Sequence, residues 1–343
     1  MSTERRRVRG VDYEQVSSDY LEHRQLRRGA AGWVLLAGLG VAYVISGDFA
    51  GWNFGLAEGG WGGLFIATVL MATMYTCMVF GLAELASALP VAGAGYGFAR
   101  RALGPLGGFA TGMAILIEYA IAPAAISVFI GGYIEALGLF GLTSGWPIYL
   151  ACYAVFVGIH LYGVGEALRL MFAITAVALV ALVVFVIAMA PKFEFANLFD
   201  IEPTGAAGAN SFIPFGYAGV LGALVYGIWF FLAVEGVPLA AEEANDPERD
   251  MPRGIITAMT ILLVTAALML FIAPGGAGSS AIADSDNPLP EAIRSAFGGD
   301  TWVADFVNYV GLAGLVASFF SIVFAYSRQL FALSRAGYLA LHS

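Results

Sequence analysis

The sequence predicts an all-α polytopic membrane protein, and three observations carry that prediction. Of 343 residues, 59% are hydrophobic and 12% charged, and the mean hydropathy of +0.80 lies far above the range of soluble globular proteins. The apolar residues gather into eight runs of about 20 or more, the length a helix needs to cross roughly 30 Å of hydrocarbon. The basic residues cluster at alternate connections between those runs. The formal net charge is -9, but the charged residues sit in the leader and loops, so the total says little about partners, and nothing in the composition supports nucleic-acid binding.

Residues 1–31 form a polar leader carrying Arg5, Arg6, Arg7, Arg9, Arg24, Arg27 and Arg28. It has neither an apolar core nor a small-residue cleavage site, so it does not read as a signal peptide. Residues 32–343 form the membrane domain, with spans expected at 32–57, 62–88, 108–137, 146–163, 167–190, 217–240, 254–273 and 302–327. If the leader is cytoplasmic, Arg100, Arg101, Arg169, Arg249, Arg253, Arg328 and Arg335 also fall on that side. That places 14 of the 16 basic residues inside and leaves Lys192 and Arg294 outside. The expected location is therefore the cytoplasmic (inner) membrane, with the N-terminus cytoplasmic. The outer connections 191–216 and 274–301 are long, and the second carries Pro288, Pro290 and a short amphipathic run Glu291–Phe297; they read as ordinary loops or as lids. Cys77 and Cys152 both lie in apolar runs, and His23, His160 and His342 lack ligand spacing, so no disulfide, metal or other cofactor is expected. No nucleophile–base pair or phosphate-binding loop is visible, so the chain does not read as an enzyme.

The stretch Val44–Gly55, V-I-S-G-D-F-A-G-W-N-F-G, sets Asp48 inside the first run between Gly47 and Gly51. A carboxylate at that depth costs about 2.5 to 3.5 kcal/mol on insertion scales and needs a partner, a proton or a role. The glycines weaken the helix around it, and freed backbone groups are tolerable there only if they line a cavity. In the sixth run Trp229–Pro238 repeats the theme with Glu235, Gly236 and Pro238. Interruptions in corresponding helices of two five-helix halves predict a five-plus-five inverted-repeat transporter fold with helices 1 and 6 broken. The second half would need two more spans, so the fold reads as truncated after helix 8.

The outer half of helix 1 is expected to start near Gly47, placing Asp48 at an N-terminal pole with unpaired N–H groups and about half a positive charge. Two readings are open: Asp48 receives a cationic amine, with Ser46, Gly47, Phe49 and Gly51 around it, or it caps the half-helix. Glu118 counts to the midplane of the third run and Glu235 to the inner half of the sixth, with no Lys or Arg as deep. These acids must hold a proton, bind an inorganic cation or meet a positive substrate. Glu118 reads as a proton relay or a structural carboxyl, and Glu235 as a substrate contact or a gating and packing residue. Trp229, Phe230 and Phe231 read as cation–π walls or as packing. Ser318 and Ser321 read as weak sodium ligands or as hydroxyls bonded to their own helix. The expected partners are a small-molecule amine, a coupling cation that is either a proton or sodium, and the lipid bilayer.

The turn after the second run, Pro90-Val91-Ala92-Gly93-Ala94-Gly95-Tyr96 followed by Arg100-Arg101-Ala102-Leu103-Gly104-Pro105, resembles the P-x-x-G-G-x-Y and R-x-L-G-P run of the amino acid–polyamine–organocation permeases, with Ala94 in place of the second glycine. Glu242-Glu243-Ala244-Asn245-Asp246-Pro247-Glu248-Arg249-Asp250-Met251-Pro252-Arg253 is similar to that family's E-E-x-x-N-P-x-R-x-x-P-R, and Ser327–Arg335 resembles the segment after its eighth helix. The resemblance implies a twelve-helix fold. At the first break the family has a glycine-rich G-x-G; here Ser46–Asn53, like Trp229–Ala233 leading into Glu235, resembles the ethanolamine permease branch. The function it implies is secondary active uptake of a small organic amine, ethanolamine first. The rivals are an amino acid permease of the same superfamily and a non-transporting sensor or remnant. The acidic stretch 242–253 is expected to be a cytoplasmic linking element with internal salt bridges.

Overall fold

A computed structural model of the protein describes residues 4–8, 11–15, 31–90, 93–138, 145–162 and 165–338. Most of the leader, Val91, Ala92, His23 and His342 lie outside the described residues. The leader contributes the only strands among the described residues, an antiparallel hairpin pairing Glu4–Val8 with Val11–Gln15. The other described residues are mainly helical, in eight passes, with an irregular stretch over 201–215.

Span 1 is broken. It runs as a helix over Trp33–Val44, makes one more turn at Ser46–Phe49, opens at Ala50, and resumes at Phe54. The helix Phe54–Ala88 is two elements joined at Gly60, whose φ of 66° and ψ of 178° turn the chain from the end of span 1 into span 2. Gly60 can take that backbone because it has no Cβ to clash. Likewise Ala94–Ala136 joins a short helix to span 3 at Gly104, with φ 79°. Spans 4 and 5 are Trp146–Tyr162 and Gly165–Met189. Span 4 has 17 residues, about 26 Å of rise.

Span 6 is also broken: an α-helix over Gly216–Gly227 gives way to a 3₁₀ turn at Ile228–Phe230, and a second 3₁₀ segment runs over Val234–Glu243. Between them Ala233 has a φ of 80°, one of two non-glycine residues in the left-handed region among the described residues. For an alanine that backbone is strained. Spans 7 and 8 are Pro247–Ala277 and Trp302–Arg335. The short helices Ser279–Ile282 and Pro288–Phe297 between them make a lid on the side away from Arg328 and Arg335. This is the five-plus-five arrangement with helices 1 and 6 interrupted.

The packing follows from small residues, which let backbones approach where the surrounding lipid supplies no hydrophobic drive between helices. A Cβ on Gly59 would lie 2.9 Å from the Gly219 carbonyl, and one on Gly227 would lie 3.0 Å from the Thr68 nitrogen. The outer half of span 1 and the start of span 2 thus lie backbone to backbone with span 6. On the arginine-rich side, Arg328 pairs with Glu243 at 2.6 Å and Arg335 with Glu242 at 2.8 Å. These bonds correct the expectation of salt bridges internal to 242–253. The two acids face out of that stretch toward span 8, because the end of span 6 lies alongside it.

Candidate functional site

The two breaks touch. A Cβ on Gly47 would come within 2.0 Å of the Trp229 carbonyl oxygen, so only glycine permits that approach of the span 1 break to the span 6 break. Gly51, at φ 97°, packs against the Phe129 and Trp229 rings. Around this contact the aromatics close up. Trp52 stacks on Phe230 at 5.5 Å between centroids, Phe129 meets Trp229 edge to face at 5.8 Å, and Phe231 lies 6.0 Å from Tyr75. Phe230 and Phe231 are buried, while Trp229 is half-buried. Phe49 points away toward span 8, where it packs on Gly311 and Gly314, and its carbonyl accepts from the Tyr133 hydroxyl at 2.9 Å.

Asp48 is fully buried, and neither of its carboxyl oxygens has a hydrogen-bond partner. The polar side chain facing it is Thr265 of span 7, whose hydroxyl donates to the Leu262 carbonyl at 3.2 Å. The expectation that the outer half-helix starts near Gly47 is corrected here. Asp48 belongs to the last turn of the inner segment, its own N–H donates to the Ile45 carbonyl at 3.2 Å, and the outer half begins at Phe54. Asp48 therefore sits at the C-terminal end of a helical segment, where the backbone leaves carbonyls rather than N–H groups. It is not the cap.

Sequence reasoning passed over Asn53, which holds the break together. Its Oδ1 accepts from the Gly51 N–H at 3.1 Å, and its Nδ2 donates to the carbonyls of Ile282 and Ser285 at 2.8 and 2.9 Å in the lid. An amide presents an acceptor and donors at once, which the turn and the lid require together. The available signal was an asparagine two residues past a glycine, directly before the outer helix.

Ser46 and Ser318 meet across the spans at 2.8 Å, and the Ser318 hydroxyl also lies 2.8 Å from the Tyr43 carbonyl just ahead of the break. Ser321 uses its hydroxyl on the Ala317 carbonyl of its own helix at 2.7 Å. Glu118 and Glu235 form a second acidic centre. The Tyr119 hydroxyl donates to Glu235 Oε1 at 3.3 Å, while Glu118 Oε1 and Glu235 Oε2 are buried without a hydrogen-bond partner. Glu235 is in the first turn of the inner half of span 6, so the acid at the N-terminal pole of a split helix is Glu235.

A family model described as amino acid permease matches residues 33–342. The chain belongs to that family. It is similar to the branched-chain amino acid permease BcaP of Bacillus subtilis, 28% identical over 298 residues that cover 80% of this chain and 60% of the relative. It is also similar to the methylthioribose transporter of the same organism, 26% identical over 316 residues covering 87% and 64%. Among solved structures it is similar to a manganese transporter of Eremococcus coleocola, with a TM-score of 0.48 and 16% identity, over 90% of this chain and 72% of the other. The chain spans about 60% of the length of the curated relatives it matches. As a family member with six helices among its described residues long and apolar enough to cross a membrane, it is a multi-pass membrane protein.

Proposed function

We propose that this permease is the transport core of a secondary carrier for a small amine-bearing solute, with amino acids as the first substrate class. The ammonium group would sit against Asp48 where the two helix breaks meet. The observation that carries this reading is a fully buried carboxylate with both oxygens unpartnered beside touching glycine and carbonyl backbones. Such a group is tolerable only with a proton or a cation against it, and an ammonium supplies three donors. The family match and the amino acid permease among its relatives favour a substrate that also carries a carboxylate. Ser46, Gly47, Phe49 and Gly51 on the span 1 side, with Trp229 and Phe230 on the span 6 side, are the proposed contacts. The arginine-rich face is proposed to be cytoplasmic, in the inner membrane.

Ethanolamine is the second reading, and Asp48 itself favours it, because a protein carboxylate at the break makes a substrate carboxylate unnecessary. Uptake into proteoliposomes of labelled alanine, leucine and ethanolamine tests both. The amino acid reading expects saturable alanine or leucine uptake that Asp48→Asn lowers at least about tenfold, the loss of one charge-assisted contact. Saturable ethanolamine uptake with no competition by either amino acid would replace it with the second reading.

A further inference from the structure

Away from the helix breaks, a groove of about 410 Å³ lies between spans 3, 4 and 8. Each helix gives it a stripe of side chains. Ile130 and Ile134 of span 3, and Leu312 and Val316 of span 8, are i, i+4 pairs, while Ile148, Ala151 and Val155 of span 4 follow at spacings of three and four. The hollow exists because Ala151 and the neighbouring Cys152 are small where the facing residues are branched. Ala151 and Val155 are exposed, so the groove is open on its outer side, toward the bilayer of a membrane-spanning protein. The described residues that line it carry no charge and no hydroxyl or amide side chain.

The dimensions select an occupant. Ile148 to Val155 spans about 10 Å along the helix, so the volume corresponds to a channel about 7 Å across, too narrow for an α-helix of about 10–12 Å and wide enough for a hydrocarbon chain. Water would find no polar partners there. Within a bilayer the hold on a chain comes from packing, and walls on three sides supply contacts that an empty groove would forfeit. One end of the groove reaches the lid side of the membrane, since Ile134 lies two residues before the end of its helix and Ile148 two residues after the start of span 4. Trp146 and Trp302, 61% and 74% exposed, are the first residues of spans 4 and 8, the interfacial position where indoles meet lipid headgroups.

We propose that this groove binds one acyl chain of a phospholipid from the lid-side leaflet, as a structural ligand that holds span 4 against spans 3 and 8. The groove backs onto the residues that seat the span 1 break. Tyr133, between Ile130 and Ile134, donates its hydroxyl to the Phe49 carbonyl at 2.9 Å, and Gly311, beside Leu312, takes the Phe49 and Tyr133 rings. Phe156, at the far end, packs on Phe319 of span 8 at 5.5 Å between centroids. A chain in the groove therefore supports the wall behind Phe49, whatever the protein carries.

The purified full chain in mixed micelles of detergent and a phosphatidylcholine with a diazirine midway along one acyl chain tests the site. After photolysis, adducts mapped to 147–156 and 312–316 should saturate as the lipid fraction rises. Adducts on the exposed Val180, Val183 and Ile187 of span 5 should instead grow in proportion to it, as for lipid that merely surrounds the protein. Ala151→Trp, which fills the groove from an exposed position, should lower the groove adducts several-fold and leave those on span 5 unchanged. Unlabelled phosphatidylcholine should raise the melting temperature of the wild type by several degrees and that of Ala151→Trp by much less. Val155→Trp, from the same stripe, gives the same readouts if Ala151→Trp does not fold. Groove adducts that rise in step with those on span 5, or that persist in the folded tryptophan variant, overturn the proposal. A dimeric wild type without groove adducts gives the groove to a second copy and also overturns it.

Discussion

At the scale of single residues, Gly47 and Asn53 matter more than the residue types usually suggest, because each satisfies a contact that no other side chain fits. Gly47 lets two backbones meet, and an added methyl would lie 2.0 Å from a carbonyl oxygen that belongs to the opposing break. Backbone cannot give way as a flexible side chain can, so Gly47→Ala is expected to destabilise the protein by about 1–3 kcal/mol, the usual range for overpacking. It should lower the melting temperature in detergent, whereas Gly81→Ala, with open space around it, should not. Equal melting temperatures for the two would show that the breaks do not touch. Asn53 was missed in the sequence because asparagine in a glycine-rich turn is unremarkable, and its second set of partners, in the lid, lies about 230 positions away. Asp48 was legible as a buried acid, but its place on the wrong side of the break was not. Helix boundaries depend on where the chain next finds a partner for its N–H groups, and here the Gly51 N–H is taken by Asn53.

At the scale of elements, the lid is held to the core by side chains whose chemistry makes it responsive to pH. Asp286 packs on span 3 at Gly132, where an added Cβ would lie 2.6 Å from its own Cβ, and burial pushes its carboxyl above the ordinary carboxylate range. Docking therefore disfavours the ionised form. The contribution of Asp286 to lid docking is fully present below its undocked pKa and is lost as pH rises through its docked value. Amide hydrogen exchange of 279–297, corrected for intrinsic rates, should accordingly show more protection at acid pH, and Asp286→Asn should flatten that dependence. Parallel profiles for wild type and variant would mean that Asp286 does not report docking. The amphipathic run Glu291–Phe297 is part of a helix over Pro288–Phe297. What the sequence could not supply was its seat, since that helix packs on spans 7 and 8 and the loop before it is bonded to Asn53.

At the scale of the whole molecule, the eight spans, their order and the two interruptions were all legible, because membrane length, charge asymmetry and glycine placement are local properties of the chain. The approach of Glu235 to Tyr119 of span 3 was not, since counting residues from span ends assigns depth but not azimuth, and a strained Ala233 turns span 6 in a way no periodicity records. Taken together, the contacts tie the breaks down on the lid side and leave a small apolar cleft on the arginine-rich side. Asn53 seals the breaks to the lid, and the two arginine pairs hold span 6 to span 8. On the arginine-rich side, a small cleft of about 50 Å³ lies between Leu35, Leu39, Ala42, Phe172, Ser321 and Phe324. If spans 1 and 6 rock as a unit, weakening the lid seal should close this cleft. In a background with Cys77 and Cys152 replaced by alanine, Leu39→Cys is expected to react with a membrane-impermeant maleimide from the arginine-rich side only. Adding Asn53→Ala, which removes about 1–3 kcal/mol of buried hydrogen bonding, should slow that reaction several-fold and open Trp52→Cys, buried in the sealed form, to label from the opposite side. Because both effects come from one rigid movement, they must appear together: faster labelling at Trp52→Cys with no change at Leu39→Cys would mean that the lid opens alone and the two sides are not linked.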